Sequence, residues 1–277
     1  MFNSRSAPYL SALLVSFSVF AATPVFAQAN NAVAAIAALA ESEQTKLLDT
    51  LKALVNIETG STHRDGLDTA AEFIGARLKA LGGEVEIVEA PAADIYQLEG
   101  LPDRIGRAVR ATFRGTGSKR ILLLAHMDTV YPVGMLSKQP FRIDGNLAYG
   151  LGIADDKQGV ATIIHVVAML QALNARDYGV LTVLINGDEE ISSPASRKLI
   201  AKLGSEHDAV LSFEASRHNS DKISLATSGI AMATMTVKGR SSHAGGAPER
   251  GVNALYEMAH QLLQLRGLGR QFLGGGR

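Results

Sequence analysis

Three short segments of the chain are almost uninterrupted apolar runs, and they limit the possible folds more than any other feature. They span residues 121–125, 181–185 and 209–213. A strand with one solvated face alternates apolar and polar residues, so runs without alternation indicate strands that are buried on both faces. Residues 160–173 lie between the first two runs and repeat their apolar side chains at helical spacing. Alternating strands and helices predict an α/β fold with a mostly parallel central sheet and helices on both faces.

Other segments add helices and strands to this sheet. Apolar side chains recur at helical spacing over 47–55 and again over 70–81, and Gly82 marks the end of the second helix. Short runs rich in β-branched residues at 85–88 and 109–113 predict two more strands. The first part of the chain therefore supplies enough elements for a layered α/β domain.

The pattern changes toward the end of the chain. Residues 230–237 have the composition of a strand, 239–251 form a polar glycine-rich stretch, and 255–265 carry apolar side chains on one helical face. We therefore predict a domain boundary between 28–225, which form the first domain, and 226–277, which begin a small α+β domain.

The composition excludes several classes of protein. The chain has 277 residues, 47% of them hydrophobic, which is enough for one large domain or two. Its 27 basic and 27 acidic residues cancel, so no overall charge attracts nucleic acid or an anionic membrane, and we predict neither as a partner. With no cysteine, the chain has neither disulfides nor thiolate ligands.

The N-terminal segment resembles a secretory leader. Arg5 precedes an apolar run over 10–22, and small residues lead up to Ala27. These features predict a signal peptide over residues 1–27, and therefore a periplasmic or secreted protein. An uncleaved membrane anchor is the alternative, but Pro24 and two serines interrupt a run that is shorter than the roughly 18 apolar residues needed to span a bilayer. We therefore expect no stable membrane span after cleavage.

A histidine and an aspartate follow the first apolar run directly. His126 and Asp128 are two residues apart, so on a strand their side chains point the same way. The imidazole could bind a metal ion while the carboxylate binds its other ring nitrogen. An isolated His-x-Asp also occurs often as a polar turn at a strand end. The metal interpretation therefore depends on further ligands.

Acidic residues stand near the other strands. Glu189 and Glu190 follow the second run, Glu214 follows the third, and Asp155-Asp156 opens the helix between them. An acidic helix start that complements the macrodipole is the alternative for the aspartates. Because the carboxyl ends of parallel strands meet at one edge of a sheet, we expect these groups to converge with His126. Clustered carboxylates favour a pair of cations about 3.5–4 Å apart, bridged by one carboxylate.

Five motifs in a fixed order give the chain a family resemblance. They are LLLAHMDTVY, YGLGIADDKQG, RDYGVLTVLINGDEE, LSFEAS and GRSSHAGGAPERGVNAL. Together they resemble the zinc metallopeptidase family of glutamate carboxypeptidase (the carboxypeptidase-G type), acetylornithine deacetylase and succinyl-diaminopimelate desuccinylase. The resemblance covers about residues 47–265 and implies the zinc-exopeptidase fold, followed by a lid or peptidase dimerisation domain.

The resemblance also implies roles for individual residues. His126 and Glu214 would bind one zinc ion, Glu190 the other, and Asp155 would bridge both. Manganese or cobalt would also suit these ligands.

The remaining implied roles concern the chemistry. Asp128 would orient the ring of His126, and Glu189 would be the general base. The Asp155-Asp156 peptide would be cis. His243, in the second domain, would reach the substrate in the partner subunit's site, which requires a homodimer.

The implied reaction is hydrolysis of an amide next to a C-terminal carboxylate by water activated at two zinc ions, most simply with release of glutamate from a small peptide. Other N-acyl amino acids such as acetylornithine remain open as substrates. The family's last zinc-binding histidine and the rest of its lid have no counterpart up to Arg277, so we expect a C-terminally truncated fragment. The alternative function is a catalytically impaired remnant that binds at most one metal ion.

Overall fold

The computed structural model describes residues 25–215, 222–227 and 234–272. The chain divides into two compact units between Ala215 and Ser216. The domain limits at 28–225 and 226–277 stay a prediction, and most of the leader over 1–27 lies outside the described residues.

The first unit is a sheet packed between helices. In chain order its elements are α1 (Val25–Val55), α2 (Arg64–Ala80), β1 (Glu84–Val88), β2 (Ala108–Arg114), β3 (Arg120–His126), β4 (Arg142–Asp144), β5 (Leu147–Tyr149), α3 (Gln158–Ala172), β6 (Val180–Asn186), α4 (Arg197–Glu206) and β7 (Ala209–Ser212). Every helix and strand that the sequence predicts for residues 47–213 is present. The short β4–β5 hairpin and helix α4 were not predicted.

The central sheet has five strands in the order β1-β2-β6-β3-β7. Strand β3 pairs in parallel with both β6 and β7, whereas β2 pairs antiparallel with β1 and β6. Four of the five strands therefore run in one direction and β2 runs in the other. This confirms the α/β class with a mostly parallel sheet. It also brings the carboxyl ends of β3, β6 and β7 to the same edge.

Helices cover both faces of the sheet, as predicted. One face packs on α1, α2 and α3 and buries Ile74, Ile163 and Val183. The other face packs on α4, where Leu184 and Leu203 meet. The side chains of consecutive β6 residues alternate between these two clusters, since neighbours on a strand point to opposite faces. The centre of the sheet is thus buried on both sides.

Strand β7 differs from the prediction that its run is buried on both faces. Val210 and Leu211 are 46% and 51% exposed, respectively. The physical reason is position: β7 is the last strand of the order and pairs only with β3 among the described residues. An apolar run predicts a strand, but it does not distinguish a central strand from an edge strand.

The end of α2 follows the predicted glycine rule. Gly82 has φ of +86°, a conformation that costs glycine little because it has no Cβ. Its N–H donates to the carbonyl oxygen of Lys79 at 2.9 Å, and the N–H of Gly83 donates to the carbonyl oxygen of Leu78 at 3.1 Å. The chain is thereby turned into β1.

In the described part of the second unit there is one α-helix, α5 (Ala254–Phe272). The preceding loop is closed by a bridge between Arg240 and Val252. The strand predicted for 230–237 begins outside the described residues, and 234–237 have no regular structure. A strand exists only where it pairs, and the described part of this unit offers residues 234–237 no partner. None of the described helices is both long and apolar enough to cross a membrane.

We predict that the core beneath α2 sets the stability of the first unit. Ile74 is fully buried, so Ile74→Ala should lower the free energy of unfolding by about 2–5 kcal/mol and Ile74→Val by about 0.5–1.5 kcal/mol. Urea titration measures both. Leu173→Ala is the control, because this side chain is exposed and its loss should change stability by less than about 0.5 kcal/mol. Equal effects at both positions would contradict the assignment of the core.

Candidate metal centre

His126 is the last residue of β3, and its ring is held from one side. Its Nδ1 lies 3.1 Å from the carbonyl oxygen of Asp128 and 3.3 Å from Asp128 Oδ1. The side chain is 1% exposed. A ring fixed through Nδ1 presents Nε2 as the free ligand atom, which is the arrangement found for many metal-binding histidines.

Two carboxylates meet the free nitrogen of His126. Nε2 is 3.0 Å from Asp155 Oδ1 and 3.3 Å from Glu214 Oε1. Asp155 comes from the turn Ile153–Lys157 before α3, where the Asp155-Asp156 peptide is cis as the resemblance implies, and Glu214 follows β7. Both carboxylates are about half exposed, so the group is open to solvent. One imidazole and two carboxylates are a donor set that suits zinc and related divalent ions.

Asp156 lies on the protein side of the same group. Ligand atoms of His126, Asp156 and Glu214 all lie within 4.8 Å of one another. The Asp156 side chain is fully buried and accepts hydrogen bonds from the N–H of His126 at 3.4 Å and from Gln158 Nε2 at 3.3 Å. The nitrogen that could bind a metal therefore faces Asp155, while Asp156 contacts the backbone. Asp156 was not among the predicted ligands.

The backbone of the Glu189-Glu190 turn is hydrogen-bonded to the Asp128 carboxylate. The N–H of Glu189 bonds to Asp128 Oδ1 at 3.0 Å, and the N–H of Glu190 bonds to Oδ2 at 3.1 Å. Asp128 is fully buried and also accepts a hydrogen bond from Ser61 Oγ at 2.8 Å. The predicted role of Asp128 involved only His126. The contacts to the turn join residues 61 positions apart, and no sequence spacing reveals them.

Asp188 fixes the other side of this turn. Its buried carboxylate accepts hydrogen bonds from Ser196 Oγ at 2.5 Å and Asn186 Nδ2 at 3.1 Å. It also accepts the N–H groups of Ala195 at 2.7 Å and Ser196 at 3.0 Å. Asp188 was not predicted to belong to the site. The available signal was a third acidic residue directly before the Glu189-Glu190 pair.

The centre carries more negative charge than His126 alone neutralises. Burial would lower the pKa of His126, but its hydrogen bonds and charge interactions with Asp128 and Glu214 raise it to about 11. Burial and the charge of Asp155 raise the pKa of Glu190 to about 7, and burial also raises that of Glu189. Burial and the charge of Glu214 raise the pKa of Asp156 to about 8. Without a bound cation, protons retained on these groups reduce the negative charge of the centre.

His243 belongs to the second unit. Its Nδ1 accepts hydrogen bonds from the N–H groups of Gly245 at 3.2 Å and Gly246 at 2.8 Å. These bonds order the ring within its own loop and leave the side chain exposed. Its assignment as a substrate-binding residue stays a prediction.

We predict that the metal-free protein loses stability as pH rises from 5.5 to 8. The folded-state pKa of His126 is raised, so its stabilising contribution is complete below about 6.5 and declines above it. The raised pKa values of Asp156 and Glu190 act in the same direction, because the unfolded chain releases these protons near pH 4 and the folded chain only near 7–8. Urea titration with a chelator should show a fall of at least about 2 kcal/mol, which is the share of His126 alone between pH 6.5 and 8.

Asp156→Asn is the control for this pH dependence. The amide does not titrate and keeps the shape of the carboxyl group, so the fall between pH 5.5 and 8 should become smaller. A stability that is flat or rises over this range in the unsubstituted chain would show that the carboxylates do not form the crowded group described above.

Comparisons with known proteins identify the family of the chain. The model of peptidase family M20/M25/M40 matches residues 122–265. The chain is 44% identical over 225 residues to carboxypeptidase G2 of Pseudomonas sp. (strain RS-16), covering 81% of this chain and 52% of that protein. It is 27% identical over 208 residues to the succinyl-diaminopimelate desuccinylase of Methylocella silvestris, covering 71% of this chain and 50% of the relative.

A solved structure supports the fold. A tripeptidase from Staphylococcus aureus superposes with a TM-score of 0.54 at 20% identity, over 79% of this chain and 55% of that one. The chain spans about half the length of the curated relatives it matches. Because the family model matches more than half of its residues, including those of the His126 group up to Glu214, the chain belongs to peptidase family M20/M25/M40.

Proposed function

We propose that this chain carries the catalytic residues of a metal-dependent exopeptidase or amidohydrolase. The observation that carries the proposal is the placement of two carboxylate oxygens within 3.0 and 3.3 Å of the free nitrogen of His126. The reaction is hydrolysis of an amide bond next to a C-terminal carboxylate. Family membership and the 44% identity to a carboxypeptidase support this reaction.

His126, Asp155 and Glu214 would hold one zinc ion, and Asp155 with Glu190 a second. Support for the first comes from the distances at His126 Nε2. Support for the second comes from the electrostatic coupling of Glu190 with Asp155, since carboxylates that repel one another are stabilised by a shared cation. A bound divalent cation supplies Lewis-acid polarisation of the scissile carbonyl and lowers the pKa of a water molecule.

Glu189 is the proposed general base. Its backbone is fixed by Asp128, the residue is accessible to solvent, and partial desolvation of its carboxyl group raises its pKa, which makes the carboxylate a better proton acceptor. The carboxylate accepts a proton from the attacking water and then donates it to the leaving amine nitrogen. Asp128 keeps both the base and the imidazole of His126 in position.

Glutamate is the proposed leaving group. The five motifs resemble the glutamate carboxypeptidases, and the 44% identical relative is a carboxypeptidase. An N-acyl amino acid is the alternative, supported by the relative that acts as a succinyl-diaminopimelate desuccinylase. We further propose that His243 contacts the substrate in a homodimer, and that residues 1–27 direct the protein to the periplasm or outside the cell.

We predict that Glu189→Gln strongly lowers turnover without releasing metal. Loss of a general base should lower kcat about 10²–10⁴-fold, because the amide cannot take up the proton. Hydrolysis of N-acyl-glutamates by the zinc-loaded protein measures kcat, and elemental analysis measures bound zinc. Glu206→Gln, at the end of α4, is the matched control and should keep full activity. Unchanged kcat in Glu189→Gln would contradict the assignment.

A metal-binding chain without hydrolytic activity is the second candidate function. The observation that favours it is that, within the part of the first unit that the structure describes, His126 is the only imidazole in the carboxylate group. The zinc content separates the two functions. The hydrolase predicts about two ions per chain, and the impaired protein predicts one ion or none and no turnover.

A further inference from the structure

The segment from Thr59 to Ser61 is bound alongside the chain that follows Asp128. The N–H of Ser61 donates to the carbonyl oxygen of Thr129 at 3.1 Å, and the N–H of Thr129 donates to the carbonyl oxygen of Thr59 at 2.9 Å. Gly60 pairs in parallel with Thr129, and a Cβ at Gly60 would collide with the carbonyl oxygen of Tyr131. The backbone alone therefore fixes Ser61 at this place, independently of its hydroxyl group.

The hydroxyl of Ser61 is aimed at Asp128. Ser61 is 7% exposed, and its Oγ donates to Asp128 Oδ2 at 2.8 Å, with the carbonyl of Thr129 farther away at 3.4 Å. A hydrogen bond to an ionised carboxylate is about twice as strong as one between neutral groups. The hydroxyl thus has a specific charged acceptor.

The Asp128 carboxylate has four contacts, two on each of its oxygens. Oδ2 accepts from Ser61 Oγ and the N–H of Glu190, and Oδ1 accepts from the N–H of Glu189 and lies 3.3 Å from His126 Nδ1. A planar carboxylate cannot turn without stretching contacts in both pairs. Ser61 is the only side-chain hydroxyl among these partners in the described structure. Its removal leaves Oδ2 with one donor, so the carboxylate gains freedom to tilt.

We propose that Ser61 is a positioning residue of the metal centre. Through Asp128 it fixes both the imidazole of His126 and the turn that carries Glu189 and Glu190. The inference rests on the proposed function in one respect, namely that a cation binds at His126 Nε2. Partners that orient a metal ligand from outside typically contribute 10–100-fold to metal affinity. As one of four contacts on Asp128, the Ser61 hydroxyl should account for the lower end of that range.

Thr59 provides a matched control on the same segment. It is 1% exposed, and its Oγ1 has no hydrogen-bond partner among the described residues. Thr59 and Ser61 are two residues apart, and Thr59→Val and Ser61→Ala therefore each remove one buried hydroxyl group. If Ser61 acts only by filling space or by stabilising the segment, the two substitutions should affect the metal centre alike.

The first measurement is the affinity of the full chain for Co²⁺, determined by competition with a chelator and by the visible absorption of the bound ion. Ser61→Ala should bind Co²⁺ about 10-fold more weakly and with an altered spectrum. Ser61→Thr, which restores a hydroxyl, should lie within about threefold of the unsubstituted chain, and Thr59→Val should be unchanged. Should Ser61→Ala fail to fold, Ser61→Cys replaces it, because a thiol of similar size is a weaker donor; its affinity should fall in the same direction.

The second measurement needs no metal. Hydrogen exchange of the Glu189 and Glu190 amides in the chelated protein should be faster in Ser61→Ala than in Thr59→Val, because these two N–H groups bond to Asp128. If the unsubstituted chain binds no Co²⁺ but the exchange difference appears, the proposed function fails and the role of Ser61 in fixing the turn stands. If Ser61→Ala matches Thr59→Val in both Co²⁺ affinity and amide exchange, the inference is overturned.

Discussion

The carboxylate of Asp128 is the interaction on which the centre depends. A fully buried negative charge is costly unless it is hydrogen-bonded, and this one meets Ser61, the backbone of Glu189 and Glu190, and the ring of His126. Three separate parts of the chain therefore share one acceptor. Each of them is placed by the others, so the ligand histidine and the glutamate turn form a single structural unit.

The sheet makes this meeting possible. Strands β3 and β6 run in parallel, and His126 pairs in register with Asn186, so the residues after each strand leave the sheet side by side. Asp188, two residues past Asn186, then anchors the turn through four hydrogen bonds. Strand β7 pairs with the other side of β3 and carries Glu214 to the same edge. Parallel pairing thus brings residues that are far apart along the chain to within about one side-chain length of one another.

The same convergence explains the electrostatics. Carboxylates from separate segments of the chain surround one imidazole. Burial raises the pKa values of Asp156 and Glu190, and the negative charges of Glu214 and Asp155, respectively, raise them further. A divalent cation would neutralise that charge where protons otherwise do. The folding of the centre and its affinity for metal are therefore linked, because a cation that binds His126 and Glu190 must displace the protons that their raised pKa values retain.

The sequence predicted what depends on local pattern. Apolar runs located the sheet strands, and helical spacing located α2 and α3, because burial imposes these periods directly. It did not predict the reversed direction of β2, the exposure of β7 or the β4–β5 hairpin, since pairing partners are set by the whole fold. The contacts of Ser61 and Asp188 were also missed. A lone serine has no recognisable spacing to an acceptor 67 residues away.

The central claim is that one cation is held where His126, Asp155 and Glu214 meet. Anomalous X-ray diffraction from zinc-soaked crystals, recorded at the zinc absorption edge, tests it most directly. The account predicts a peak about 2.0–2.2 Å from His126 Nε2 and from an oxygen of both Asp155 and Glu214. A protein that retains zinc in solution but shows its anomalous peak elsewhere, with His126 Nε2 unliganded, would contradict it.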